Sequence, residues 1–385
     1  MTYLSPIRPV AVALLLAALS GSAAAAQAKP KSDSAKAAKK EAGDSTKKMS
    51  AATAANVERF WSTAAPVNAT LTVNIKRVRG DKDDKAPWRA ATVTVQDTNG
   101  KPVTMPVKVK THGIWRLNHC EFPPLTVNFA GATTKGTVFH GLDKPRLTSY
   151  CRNNDGYEQY VIQELQLYRI YHLLSPASHA ARLLHVTYTD SATGKVEATR
   201  YAFVIEGRDE LAARLKGQWL KQKGAGPSDL QPLNSAIVGL FQFLIGNTDW
   251  GISTLHNTEL LGDQQGEVTV VAFDFDYAGA VNARYATPDP RFLVGSGCAV
   301  SSCIRAVRDR LFRGFCVPDA DFQRGIALFN QKKDAIYALY ADTVGKLLKP
   351  DIVKDTREYF DDFYKIINNP RDLKREVLEV CLGRK

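Results

Sequence analysis

Several functions are removed by what this sequence lacks. It has no Walker A run, no G-x-G-x-x-G after a strand, no G-x-S-x-G elbow and no H-E-x-x-H. Those motifs supply the phosphate cradle, dinucleotide turn, strained nucleophile or zinc ligands of four large enzyme classes. The seven histidines show no i, i+4 or other short ligand spacing, so a histidine zinc centre is not expected. The glycine-rich stretch "KGAGPS" at 223–228 lies between helical segments with no strand before it, and reads as a linker. No dense stripe of Lys and Arg with interleaved aromatics is present, which argues against a nucleic-acid partner. After the first thirty residues no apolar run approaches the roughly 20 residues that a spanning helix needs.

Those first residues have a character of their own. Arg8 precedes "VAVALLLAALSGSAAAA", and small residues offer A-x-A cleavage sites ending at Ala26 or Ala28. This reads as a removed export signal over 1–28 that leaves no integral membrane segment. Residues 29–55 are Lys, Ala and Ser with little to bury, and read as a disordered basic linker. Signal and linker carry about +5 of the formal charge, so the remainder, 56–385, is only mildly basic. Six cysteines, Cys120, Cys151, Cys298, Cys303, Cys316 and Cys381, follow. Their spacings match no common zinc pattern, and in an exported chain, periplasmic or secreted, disulfides are the expectation. Cys120–Cys151 is the first candidate, because both residues sit beside expected neighbouring strands.

From about residue 66 the chain alternates apolar and polar residues in short runs rich in Val and Thr. "ATLTVNIKRV", "RAATVTVQD", "PVKVKTHG" and "PPLTVNFAG" are separated by turn signals such as "DTNGKP", which predicts an antiparallel sheet. "DKPRLTSYC" adds a strand-like piece. Helical periodicity follows over 157–174, with Val161, Leu165, Tyr168 and Leu173 approximating one face. "RLLHVTYTD" and "RYAFVIEG" predict two more strands. Helices are expected near 208–216 and 230–245, then a hairpin from "NTELLG" and "EVTVVAFDF", then a mainly helical end from Pro318. The pattern predicts an α+β fold of two lobes sharing a cleft, with a hinge between 206 and 230. The loop 280–306 is long enough to fold over a site.

The chemistry concentrates in "GNTDWGISTLHN" (246–257) and "AFDFDYAG" (272–279). A hairpin brings its ends together, so Asp249 before it and Asp274 or Asp276 after it converge, with Asn257 on the connecting strand. Asp274 and Asp276 alternate along the strand onto the same face. Asp and Asn oxygens are the hard ligands that Mg²⁺ or Mn²⁺ prefer, and a further Asp can orient or deprotonate a hydroxyl. The structural alternative is a helix-ending turn with Asx bonds and a solvated strand end or calcium loop. In "VRDRLFRGFC", Arg308, Arg310 and Arg313, with Arg305 just before, surround Asp309 on an expected helix. This is either an anion clamp or a salt-bridged surface.

The order "GNTDW…HN" then "DFDYAG" resembles the CotH family of atypical kinases. "TSYCRNNDGYEQYVIQELQLYRIYHLL" resembles that family's strand and lobe-linking helix, and "RYAFVIEGRDEL" its Tyr–apolar–Glu segment. The similarity covers roughly residues 105–280. The chain is also similar to a group of exported bacterial proteins sharing "CEFPPL", "YEQY", "GNTDW" and "VRDRLFRGFC". The kinase resemblance implies a two-lobed protein-kinase-like fold: an antiparallel β-rich N-terminal lobe at about 66–206 and a mainly helical C-terminal lobe at about 207–385. It implies phosphoryl or nucleotidyl transfer from ATP to a protein or cell-envelope acceptor, with Mg²⁺ or Mn²⁺. Asp249 would then act on the attacking hydroxyl, Asn257 would be a metal ligand, and Asp274 or Asp276 would hold the metal on the phosphates. Glu164 would pair with a phosphate-binding cation, for which Lys144 and Arg146, on one face of the preceding strand, are candidates. A metal-dependent phosphoesterase using the same carboxylates, and a non-catalytic envelope binding protein, stand as alternatives.

Overall fold

The alternating runs fold as strands, and the apolar half of each faces a common interior. The computed structural model describes residues 50–83, 85–129, 134–288 and 306–383. The expected export signal, the linker up to residue 49, Cys298, Cys303 and most of the loop 280–306 lie outside the described residues. The last residues of the expected linker are not disordered. They begin helix α1 (Ala51–Ser62), whose first turn is capped by Ser50, its Oγ accepting from the Thr53 amide.

Strands β1 (Val67–Val73), β2 (Arg89–Gln96), β3 (Pro102–Thr111), β4 (Leu125–Asn128), β5 (Arg146–Thr148), β6 (Ala181–Asp190) and β7 (Val196–Ile205) form one sheet. Its order is β1-β2-β3-β4-β5-β7-β6, and it closes on itself as a barrel. All pairs are antiparallel except the closing one, in which β1 and β6 run parallel from Val67 opposite Leu184 to Val73 opposite Asp190. Leu71 and Val73, Val93 and Val95, Met105, Val107 and Val109, and Val186 and Tyr188 fill its interior. Each such side chain contributes about 1.5–3 kcal/mol by leaving water.

The closed barrel overturns the expectation of a two-lobed protein-kinase-like fold. The class is mixed α+β, but the β-rich part is a seven-stranded barrel rather than an open N-terminal lobe. Alternation reports which face of a strand is buried and is silent on which two edges meet. The closing β1–β6 pair is a long-range contact of that kind. Another departure is local: "NIKRV" leaves the sheet as helix α2 (Ile75–Gly80), because Asn74 caps it by accepting from the Arg77 amide at 3.0 Å.

Helix α3 (Trp115–His119) is a short insertion between β3 and β4. Helix α4 (Asp155–Leu174) starts at the Asn154 cap, with Asp155 and Glu158 in its first turn. It is buried on nearly every side, packing on the barrel and on the helical remainder of the chain. Its buried amides are used: Gln159 accepts from the Lys349 amide and donates to the Leu347 carbonyl, and Gln166 donates to Leu339. Then come α5 (Arg208–Arg214), β8 (Gln218–Leu220), α6 (Pro232–Ile245), β9 (Thr258–Gly262), β10 (Val268–Ala272), α7 (Asp319–Ala338), α8 (Pro350–Ile367) and α9 (Pro370–Leu373). The expected β9–β10 hairpin forms, with β8 added at its edge.

Two disulfides are present among the described residues. Cys120–Cys151 is as expected, and Cys316–Cys381 fastens the chain end near Phe315. Both agree with an exported protein. Among the described residues no helix is long and apolar enough to cross a membrane. "VRDRLFRGFC" is not helical. Arg308 pairs with Asp355 at 2.5 Å, Arg310 lies 4.0 Å over the Tyr359 ring, and Arg313 donates to the Thr248 carbonyl. These arginines fasten α8 and the Thr248 loop, which favours the structural reading of that segment over an anion clamp. Arg305 lies outside the described residues.

Candidate functional site

Helix α6 ends at Gly246, whose φ of +63° is the left-handed cap that glycine favours. The Tyr359 hydroxyl also sits where a Cβ on this residue would be, so a side chain is excluded twice. From that cap "NTDW" turns away, and Asn247 Oδ1 accepts from the Asp249 amide at 3.0 Å. The "DFDYAG" loop is stitched to it by main-chain bonds. Gly279 N–H donates to Gly246, Ala280 N–H to Ile245 and Phe273 N–H to Asn257, at 2.9–3.1 Å. The hairpin therefore brings the two acidic segments together as expected.

How the carboxylates meet differs from the expectation. Strand β10 stops at Ala272, so Asp274 and Asp276 do not share a face by strand alternation. Asp274 has φ +60°, and its amide donates to the Tyr168 hydroxyl at 2.8 Å. Leu255 and Asn257, at φ +53° and +50°, are also in this region. Left-handed backbone at non-glycine residues is strained, and here it gathers at one place. The outcome is a cluster: one carboxylate oxygen each from Glu164, Asp274 and Asp276 lie within 4.8 Å of one another. Glu164 is 2% exposed and Asp276 5%, whereas the Asp274 side chain is 48% exposed.

The cation beside them is neither Lys144 nor Arg146, which corrects that pairing. Lys144 bonds Asp143 at 3.1 Å on the surface. Arg146 donates to His179 Nε2 at 3.2 Å and lies over Phe273. The buried His179 donates its Nδ1–H to the Glu206 carbonyl, and burial, with Arg146 next, holds it well below the usual histidine range. Glu164 pairs instead with Arg116 of α3, at 2.6 Å. Arg116 also reaches Asp276 at 3.0 Å and Asp274 at 3.9 Å. Sequence reasoning missed Arg116, since nothing in "THGIWRLNHC" points at a helix almost fifty residues on. Tyr168 carried a signal: it lies four residues after Glu164 on α4, so both face the site. Trp115, stacked on Tyr285 at 5.0 Å, flanks Arg116.

The electrostatics follow from this crowding. Desolvation on its inner side, then the charge of Asp276, raise the Asp274 carboxyl above the usual range although its outer edge meets solvent, with Arg116 opposing. Glu164 is raised as well, by burial, again against Arg116. Asp249 is held apart from the trio. Its Oδ1 meets His256 Nε2 at 2.7 Å, while Asn257 Nδ2 donates to its Oδ2 at 3.1 Å and to its carbonyl at 2.7 Å. Asn257, expected as a metal ligand, thus has its amide engaged in orienting Asp249. Asp249 is nonetheless close enough for its charge to raise Asp274 and Tyr277. No known family's sequence profile matches the chain, and no curated protein is significantly similar to it.

Proposed function

We propose that the chain is a metal-dependent transferase of phosphoryl or nucleotidyl groups, acting on a hydroxyl of a protein or envelope component. The supporting observation is the Glu164–Asp274–Asp276 trio beside an independently oriented Asp249. All three ligands are hard oxygens, which suits Mg²⁺ or Mn²⁺ rather than a soft metal. With all three carboxylates ionised, they and Arg116 would sum to about −2, a charge that a divalent ion would offset. When bound, the metal would neutralise charge on the transferring phosphates. Arg116 is placed to hold Glu164 and Asp276 in register, and the outward Asp274 to meet a phosphate-bound ion. Asp249, its carboxylate fixed by His256 and Asn257, is suited to orient or deprotonate the acceptor hydroxyl. The resemblance of the two acidic motifs to CotH kinases points the same way, without the fold that the resemblance implied.

The half-exposed Asp249 favours one alternative, a phosphoesterase in which water is the nucleophile. Thermal melting with Mg²⁺ or Mn²⁺, with and without ATP, separates the two. A metal-dependent ATP shift that Asp274→Ala abolishes, with phosphoryl or nucleotidyl transfer lost in Asp249→Asn, is the expected result. A metal shift without any nucleotide effect, with phosphate release from model esters, would replace it by the esterase. No metal shift at all would refute both.

A further inference from the structure

Away from the carboxylates, a cavity of 190 Å³ lies under the end of α1, between α4 and β6. Its walls are mostly apolar, with Leu165, Leu173 and Leu183 among them, and three basic side chains, Arg169, His172 and Arg182, reach it. Two of the three carry no unmatched charge. Arg169 is paired with Asp342 at 2.5 Å. His172 meets Ser178 Oγ at 3.0 Å, and the Ser178 hydrogen goes to the Ser175 carbonyl, so His172 Nδ1 is the donor. Burial, with Arg214 next, lowers His172, which favours its neutral form.

Arg182 is different. It is 7% exposed, and no carboxylate among the described residues pairs with it. Its Nη1 donates to the Phe60 carbonyl at 2.9 Å, its Nη2 to the Ala65 carbonyl at 3.2 Å, and its guanidinium lies 4.8 Å over the Phe60 ring. Those contacts cap the end of α1, but they engage only two of five N–H groups. Nε is buried without a partner. A buried cation matched only by carbonyl dipoles calls for an anion.

We propose that this cavity binds a short-chain aliphatic carboxylate, its head on Arg182 and its tail against Leu165, Leu173 and Leu183. One unmatched positive charge fits a monoanion better than a phosphate dianion, and the apolar walls fit a hydrocarbon tail. The volume corresponds to about six waters at ~30 Å³ each, which suits a chain of hexanoate size. The proposal is independent of the metal site.

The test is melting and calorimetric titration of the folded chain with hexanoate, hexanol and inorganic phosphate. Hexanoate at a hundredfold excess over its Kd is expected to raise the melting temperature by about 5 °C, and hexanol and phosphate to leave it unchanged. Arg182→Gln should abolish the shift. Because that change also removes the cap on α1, Ala64→Phe is the second variant: it fills the cavity and leaves Arg182 and its carbonyl bonds in place. It should melt near the parent and ignore hexanoate. No response to hexanoate, an equal response to hexanol or phosphate, or a response that survives Ala64→Phe would overturn the proposal.

Discussion

Replacing Arg116 by Met isolates the interaction that organises the carboxylate trio. The guanidinium is 12% exposed and is the cation nearest to two carboxylates that are themselves almost wholly buried. Methionine keeps the bulk and removes the charge, leaving Glu164 and Asp276 uncompensated. Removing one partner of a buried ion pair costs about 3–5 kcal/mol, because the charge left behind stays desolvated. For a chain of this size that is roughly 6–10 °C in melting temperature, at about 2 °C per kcal/mol. Adding Glu164→Gln to Arg116→Met should recover about 1.5–3 kcal/mol, the coupling expected of contacting buried groups. The penalty should also depend on pH. A carboxyl whose folded pKa is raised stabilises the protein at low pH and loses that contribution as pH rises through the raised value. Arg116→Met should therefore lie closer to the parent at pH 5 than at pH 8. Urea unfolding of parent, single and double variants at both pH values measures all three quantities. A single variant within about 1 kcal/mol of the parent, or a double variant no more stable than the single, would show that Arg116 does not hold the trio.

Two further outcomes follow from neighbouring features. Cys120 closes α3, which carries Arg116, and Cys151 lies just before α4, which carries Glu164, so the disulfide tethers both sides of the site. Its loss in Cys120→Ser with Cys151→Ser should cost about 3–4 kcal/mol by loop entropy for a separation of 31 residues, and should weaken Mn²⁺ binding; urea midpoints and titration calorimetry measure both, and an unchanged midpoint would contradict the tether. Burial, with Arg146 and Arg116 next, lowers His112 to about 3, so its contribution is complete above the unfolded pKa near 6.5 and is lost as pH falls below it. Between pH 7.5 and pH 5 that amounts to about 2 kcal/mol, and His112→Gln should flatten the pH dependence of the urea midpoint by that amount; parallel curves for parent and variant would refute it.

Much of the local structure was legible because it follows from near-neighbour chemistry. The runs at 89–96 and 102–111 alternate, and they bury alternate residues. The helix at 157–174 was visible by its period, although it is buried nearly all round and its glutamines are satisfied by distant carbonyls. What was not legible is the closure of the sheet. The β1–β6 pair is parallel and joins segments separated by four strands and three helices. Side-chain period is the same in an edge strand and in a closing strand, so no pattern within either one identifies its partner.

The site divides along the same line. Asp249, Asp274 and Asp276 were legible because a hairpin links them, and hairpin geometry is local. Arg116 was not, because its partners come from α4 and from the loop after β10, which only the folded chain brings together. The same reason misplaced Lys144 and Arg146. They lie nearer Glu164 in sequence, yet Lys144, before β5, turns to Asp143, and Arg146, on β5, to His179. The left-handed Asp274 shows a further limit. Its amide is turned to the Tyr168 hydroxyl, and that turn, not strand alternation, puts its carboxylate beside Asp276. A residue forced into left-handed backbone is held there by contacts, so the trio depends on Tyr168 and Arg116 as much as on its own acids. Neither of those supports belongs to the acidic motifs that first drew attention to the site.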